Sequence, residues 1–257
     1  MPEVEAYRAL AVSALDREIA AVDGSDLWYL KAGLDEATAT TALVGRHFVA
    51  ARRIGKLLLL DSSGDGPVLG LRFGMTGRLL VDGRAGVERL LRSGPGDRPE
   101  WDRFAVRFGD GGSLVMRDPR RLGGVILDPV EAALGTDARD VTAAGLRTAL
   151  ASSAPLKARL LDQSRLAGIG NLLADEVLWR AGLDPRRPAG GLTAPEVRRL
   201  HRHLAVTLGT LIERGGSHTG DLMAARRPGG TCPRDGAPLE RTTVGGRTTW
   251  WCPTHQR

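Results

Sequence analysis

The chain has 257 residues, 36 Lys plus Arg against 30 Asp plus Glu, a formal net charge of +6 and a pI near 10.1. That length admits two domains with separate cores, and the basic balance makes a polyanion the first partner to consider. The longest purely aliphatic run, Leu57 to Leu60, is too short to cross a bilayer, nothing reads as a signal peptide, and two cysteines make no disulfide framework, so the expected compartment is the cytoplasm.

Val4, Tyr7, Ala11, Leu15 and Ile19 recur at steps of three or four, which predicts an amphipathic helix over the first twenty residues with Pro2 and Glu3 in its first turn. From Phe48 to Leu127 the pattern shortens to strands at 56–61, 68–73, 104–108 and 114–117, with Phe104, Val106 and Phe108 on one face. Glycine and aspartate turns separate these runs, as in an antiparallel sandwich or barrel. Residues 128–140 have little pattern and read as a linker. Beyond them the chain turns helical: Thr193-Ala194-Pro195-Glu196 is a capping box, and Val197, Leu200, Leu204, Leu208 and Leu211 form the apolar stripe behind it.

The predicted class is therefore α+β. An N-terminal helix and antiparallel β-sandwich occupy 1–127, a helical domain 141–215, and a loop with a C-terminal ribbon hairpin 216–257. In that ribbon both cysteines open a three-residue step, Cys232 to Asp235 and Cys252 to His255. Between the steps, Val244-Gly245-Gly246-Arg247 is a two-glycine hairpin turn that brings the four side chains together. Sulfur, imidazole and carboxylate donors at this spacing outline one structural zinc site per chain, with Asp235 the least usual ligand; the alternative is two free thiols in a C-terminal tail.

Three further segments carry chemistry. Gly168-Ile169-Gly170-Asn171 opens a helix whose free N–H groups suit a phosphate, or else it is a tight connection with Asn171 as a cap. Asp118-Pro119-Arg120-Arg121-Leu122-Gly123 sets paired arginines and an apolar residue on a turn that can enter a duplex. Arg53-Ile54-Gly55-Lys56, followed by Gly74-Met75-Thr76-Gly77, gives a basic strand entry and then a loop exposing a methionine. Only Lys31, Lys56 and Lys157 are lysines, each a candidate for work that a permanently charged guanidinium cannot do.

In this order, together with Pro2-Glu3-Val4-Glu5, Asp162-Gln163 and Gly245-Gly246-Arg247-Thr248-Thr249, these segments resemble the bacterial formamidopyrimidine-DNA glycosylase and endonuclease VIII family over nearly the whole chain. The resemblance implies a β-sandwich, a helix-two-turn-helix domain and a zinc finger clamping damaged or abasic double-stranded DNA, working as a monomer. It also implies a bifunctional glycosylase and abasic-site lyase, in which an N-terminal proline forms a Schiff base and β/δ-elimination nicks the strand. On this footing Pro2, Glu3 and Lys56 are the catalytic candidates. Met75, Arg120 and Leu122 would fill the gap left by a flipped base, Arg121 would be a further DNA contact, and Asn171 and Arg247 would grip phosphates.

The chain departs from the family pattern in four places. Members usually begin Pro-Glu-x-Pro-Glu-Val-Glu, whereas one Pro-Glu pair stands here. The alternatives are that Pro2 serves as nucleophile, that the protein is a catalytically impaired damage or abasic-site binder, or that translation begins upstream of Met1. Leu122 stands for the usual wedge phenylalanine, keeping apolar bulk without a stacking face. The stretch between Gly220 and Cys232 is short, which points toward oxidised pyrimidines or abasic sites, and Asp235 and His255 stand where the family has cysteines. A rival reading, a nucleic-acid module sharing only the helical architecture, leaves Lys56 and the N-terminal motif unexplained.

Overall fold

The computed structural model describes residues 1–87 and 98–257 of the chain. They form two compact units, Glu3–Glu131 and Ala132–Arg257 taken with Met1–Pro2.

Helix α1 (Pro2–Ala11) places proline where no intrahelical amide donor is needed and two acids, Glu3 and Glu5, in its first turn. It is half the predicted length. After one 3-10 turn, Asp16 adopts a left-handed conformation (φ 59°) that stops the helix, and Ile19 begins strand β1 (Ile19–Asp23) opposite Phe108. Leu15 and Ile19 do face the interior, but through bridge and sheet pairing, a spacing that helix and strand share.

Helix α2 (Glu36–Leu43), capped by Asp35, precedes the sheets. Strands β2 (Phe48–Ile54), β3 (Leu57–Ser62), β4 (Val68–Arg72), β5 (Arg78–Val81), β6 (Arg84–Ala85), β7 (Asp102–Phe108), β8 (Ser113–Arg117) and β9 (Gly124–Leu127) follow. They make an antiparallel four-stranded sheet, β2-β3-β4-β9, and an antiparallel five-stranded sheet, β1-β7-β8-β5-β6. One core joins them, with Leu58, Leu60, Leu69 and Leu71 from the first and Leu79, Phe104, Val106, Phe108, Leu114 and Met116 from the second. Tyr7 and Phe73 lie in the same core, their rings 4.3 Å apart. This is the predicted sandwich. Lys56, expected to start a strand, instead sits with Gly55 in the two-residue turn between Ile54 and Leu57. Gly55 takes the positive φ (60°) that such a turn requires at its first position.

Residues 128–140, read as a linker, contain the boundary between the units and also strand β10 (Thr136–Asp137). That strand pairs in parallel with β11 (Leu166–Ala167), and a two-residue pairing leaves no periodicity to read. Around it lie α3 (Ala143–Leu150), α4 (Leu156–Leu160), α5 (Asn171–Ala181) and α6 (Ala194–Glu213). Thr193 and Glu196 form the predicted capping box, and the whole predicted stripe of α6 is buried. Strands β12 (Glu240–Val244) and β13 (Arg247–Trp251) make the ribbon hairpin, with Gly245 and Gly246 both at positive φ (56° and 71°). No helix among the described residues is long and apolar enough to cross a membrane.

Candidate nucleic-acid interface and metal centre

In the β unit, the two loops singled out from the sequence are built as one object. Asp118 is fully buried and accepts three hydrogen bonds: from Thr76 Oγ1 (2.6 Å), the Arg120 amide (3.2 Å) and the Gly123 amide (2.8 Å). The first crosses to the Met75 loop and the other two fold the arginine turn around the carboxylate. Gly74, at φ 57°, lies so close to Leu122 that a Cβ would sit 2.7 Å from the leucine Cβ. Tyr7 donates to the Gly77 carbonyl (3.1 Å), tying the same loop to α1. On this braced platform Met75 and Leu122 stand 50% and 45% exposed. Apolar side chains held out in water on a stiffened turn suit insertion between bases.

Arg120 is exposed, as expected of a base-gap contact. Arg121 is also half exposed, yet its Nε lies 2.7 Å from Asp26 Oδ2, and its backbone is left-handed (φ 53°). This ion pair joins the turn to the loop that follows β1. Spacing in the sequence singled out the tips and missed the braces: Thr76 and Asp118 meet across 42 residues, and Asp26 and Arg121 across a longer stretch.

At the other candidate positions of this unit, Glu3 is half-buried in the first turn of α1 and Lys56 half-buried in the β2–β3 turn. Pro2 is the buried first residue of α1, and Met1 packs in the helical unit's core at 6% exposure.

In the helical unit, Asn171 is the first residue of α5 and Gly170 holds the cap position, so Asn171 is free of capping duty. Its Nδ2 donates to the Thr248 carbonyl (3.0 Å), one residue beyond Arg247. Arg247 is exposed at the hairpin turn, opposite Val244. The turn rests on α4, since a Cβ on Gly245 would meet Ala158 Cβ at 2.7 Å. Lys157 anchors the same strand. Fully buried, its Nζ lies 2.6 Å from Asp175 Oδ1 and donates to the Thr248 carbonyl (3.0 Å) and Thr249 Oγ1 (2.7 Å). Asp175 is held in turn by Arg226 (2.6 Å) and the Trp250 amide (3.3 Å). Burial pushes the Lys157 amine below its ordinary value, while the neighbouring Asp175 works to keep it charged. This rare lysine has a structural place: one ion pair and two hydrogen bonds converge on its Nζ.

All four predicted metal ligands converge. One donor atom each from Cys232, Asp235, Cys252 and His255 lie within 4.8 Å of one another. Asp235 Oδ2 is 2.8 Å from His255 Nδ1 and 3.4 Å from Cys252 Sγ, and Cys232 Sγ is 3.7 Å from His255 Nδ1. The surrounding contacts fit a metal. His255 Nε2 faces the Trp179 carbonyl (3.2 Å), which fixes the tautomer and leaves Nδ1 for an ion. Trp179 Nε1 (3.3 Å) and the Arg234 amide (3.4 Å) donate to Cys232 Sγ, as to a thiolate. The Ala237 amide donates to Asp235 Oδ1 (3.0 Å), the foremost of the bonds that hold this carboxyl well below the usual range and ready to ligate.

Comparison with known proteins gives a consistent picture. The sequence profile of the formamidopyrimidine-DNA glycosylase N-terminal domain matches residues 1–125, and that of the formamidopyrimidine-DNA glycosylase H2TH domain matches 133–222. The formamidopyrimidine-DNA glycosylase of Paracoccus denitrificans is 35% identical over 84% of both chains. That of Thermus thermophilus is 37% identical over 84% of this chain and 85% of the relative. Among solved structures, the LlFpg protein in complex with a THF-DNA and an inhibitor superposes with a TM-score of 0.83 at 25% identity, covering 100% of this chain and 98% of that one. The Lactococcus lactis Fpg in complex with DNA containing an abasic site gives 0.82 at 24% identity, covering 100% and 99%.

Proposed function

Because the chain belongs to the formamidopyrimidine-DNA glycosylase family, we propose that it is a bifunctional enzyme of base excision repair, excising oxidised bases from duplex DNA and nicking the abasic strand. The observation that carries this reading is the platform around Asp118, which holds Met75, Arg120 and Leu122 in place to fill the space of an everted base. Holding the stack open costs a few kcal/mol, and apolar side chains fixed in advance return part of it. Asn171 and Arg247 are assigned to phosphates, a guanidinium at an exposed turn being suited to a charge-assisted fork. Arg121, paired with Asp26, contributes to DNA contact by fixing the turn.

In the chemistry we assign, the Pro2 nitrogen attacks the sugar C1′ once Met1 has been removed and displaces the base; the C1′–O4′ bond then opens, with a proton delivered to O4′, and leaves an iminium. Glu3 relays protons, Lys56 acts beside it, and elimination then breaks the strand. A free α-amino group near pKa 8 is substantially neutral at working pH, as a nucleophile must be. While Met1 precedes it, the Pro2 nitrogen is an amide with no available lone pair. Retention of Met1, which here packs in a hydrophobic core, favours the second reading: a damaged-DNA or abasic-site binder of the same fold. Cys232, Asp235, Cys252 and His255 would hold one structural Zn2+, supplying a cross-link that keeps the ribbon folded. The protein is assigned to the cytoplasm as a monomer.

The test begins with N-terminal sequencing of the purified protein, followed by borohydride trapping on duplex DNA carrying an abasic site. A proline N-terminus with a covalent adduct and a nicked strand is expected. A proline N-terminus with neither eliminates the lyase and leaves the binder.

A further inference from the structure

We propose that Arg53 is a positioning residue for this reaction, bolting the first turn of α1 to the turn that carries Lys56. Its side chain is only 5% exposed. Nε donates to Glu5 Oε2 (2.9 Å), and Nη1 donates to the carbonyl of Gly55 (3.0 Å), the residue immediately before Lys56. Glu5 stands one helical turn beyond Pro2 and two residues beyond Glu3. Its other oxygen is held by Arg8 (2.9 Å), so the carboxylate has no freedom to follow a different partner. Burial alone would raise the Glu5 carboxyl, yet the hydrogen bonds from Arg8 and Arg53 outweigh it and keep the group ionised.

One planar guanidinium thus ties its own hairpin turn to a carboxylate 48 residues from it in sequence. Gly55 has a positive φ (60°) in the two-residue turn, and its carbonyl belongs to the peptide that leads into Lys56, so Arg53 holds the backbone at the point where Lys56 leaves the sheet. A largely buried ion pair is a poor source of net stability compared with apolar packing. What it adds is geometry: the rigid planar fork presents separate N–H groups to the carboxylate and the carbonyl at fixed angles, whereas a lysine ammonium is a single point charge on a flexible stem. Being buried, Arg53 acts through the groups it holds and not by touching DNA.

This inference rests on the assignment of chemistry to α1 and Lys56, and its test separates the two. The Arg53→Lys and Glu5→Gln variants are compared with the unaltered protein in two assays. One is the single-turnover rate of borohydride-trapped adduct on an abasic duplex; the other is Kd for a duplex carrying the uncleavable tetrahydrofuran analogue. Misplacement of a reacting group by about 1 Å costs on the order of 100-fold in rate. Arg53→Lys should therefore lose about that factor in trapping rate while Kd changes by less than about threefold, since no DNA contact is lost. Glu5→Gln, which keeps an acceptor for Arg53, should lose less. A residue that served stability alone would lower the melting temperature and leave the rate of the folded fraction intact. That result, or a Kd that weakens in step with the rate, overturns the proposal. If the unaltered protein itself gives no adduct, the lyase assignment falls and takes this proposal with it.

Discussion

Replacing Lys157 with Met keeps an unbranched apolar stem and removes the ammonium that ties α4 to α5 and β13. The consequences follow from the contacts. Asp175 loses its partner at 2.6 Å, and Thr249 Oγ1 and the Thr248 carbonyl lose a donor. Removing one member of a buried ion pair costs about 3–5 kcal/mol. Asp175 keeps Arg226 and the Trp250 amide, so the lower end, about 3 kcal/mol, applies. For a unit of this size that corresponds to a fall of about 10 °C in Tm. Asp175→Ala should be worse, because it strands two buried cations, Lys157 and Arg226, and frees the Trp250 amide. Differential scanning calorimetry on the zinc-replete variants reads both effects. A Lys157→Met protein melting within about 3 °C of the unaltered one, a loss below about 1 kcal/mol, would refute the reasoning and show that the pair's desolvation cancels its attraction.

Three further outcomes follow from the same geometry. Arg247→Ala should weaken DNA binding uniformly across sequences and reduce the slope of log K against log salt by about one phosphate contact, read by titration at several salt concentrations; an unchanged slope removes Arg247 from the phosphate grip. Asp235→Ala should lower zinc retention after dialysis against a chelator, measured by elemental analysis, whereas Asp235→Cys should hold the metal at least as well, thiolate being the stronger ligand; equal retention by all three proteins would show that Asp235 does not ligate. Arg187, chiefly by its hydrogen bonds, pulls the Glu196 carboxyl from 4.5 down to about 2. Its folded pKa is depressed, so its contribution is fully present above pH 4.5 and lost as the pH falls toward 2. The stability gap between the unaltered protein and Glu196→Gln should therefore close over that window in urea titrations, and a gap as wide at pH 2 as at pH 7 would contradict the assignment.

Wherever local chemistry suffices, the amino-acid sequence by itself determined the outcome. The capping box at Thr193 and Glu196, the apolar stripe of α6, the Gly245-Gly246 hairpin and the convergence of Cys232, Asp235, Cys252 and His255 all depend on spacings of a few residues, or on one turn. Tertiary structure decided the rest. Whether Leu15 and Ile19 continue a helix or enter a sheet turned on Phe48 and Phe108, because both patterns bury residues four apart. The tips Met75, Arg120 and Leu122 were legible as exposed turn residues, but the buried Asp118 and Thr76 that hold them were not, since a hydrogen bond across 42 residues leaves no mark in local pattern. The same reason hid the work of Lys157 and Arg53. A buried charge declares its role only through the partners that the fold brings to it, here Asp175 and Thr249 for the one, Glu5 and the Gly55 carbonyl for the other.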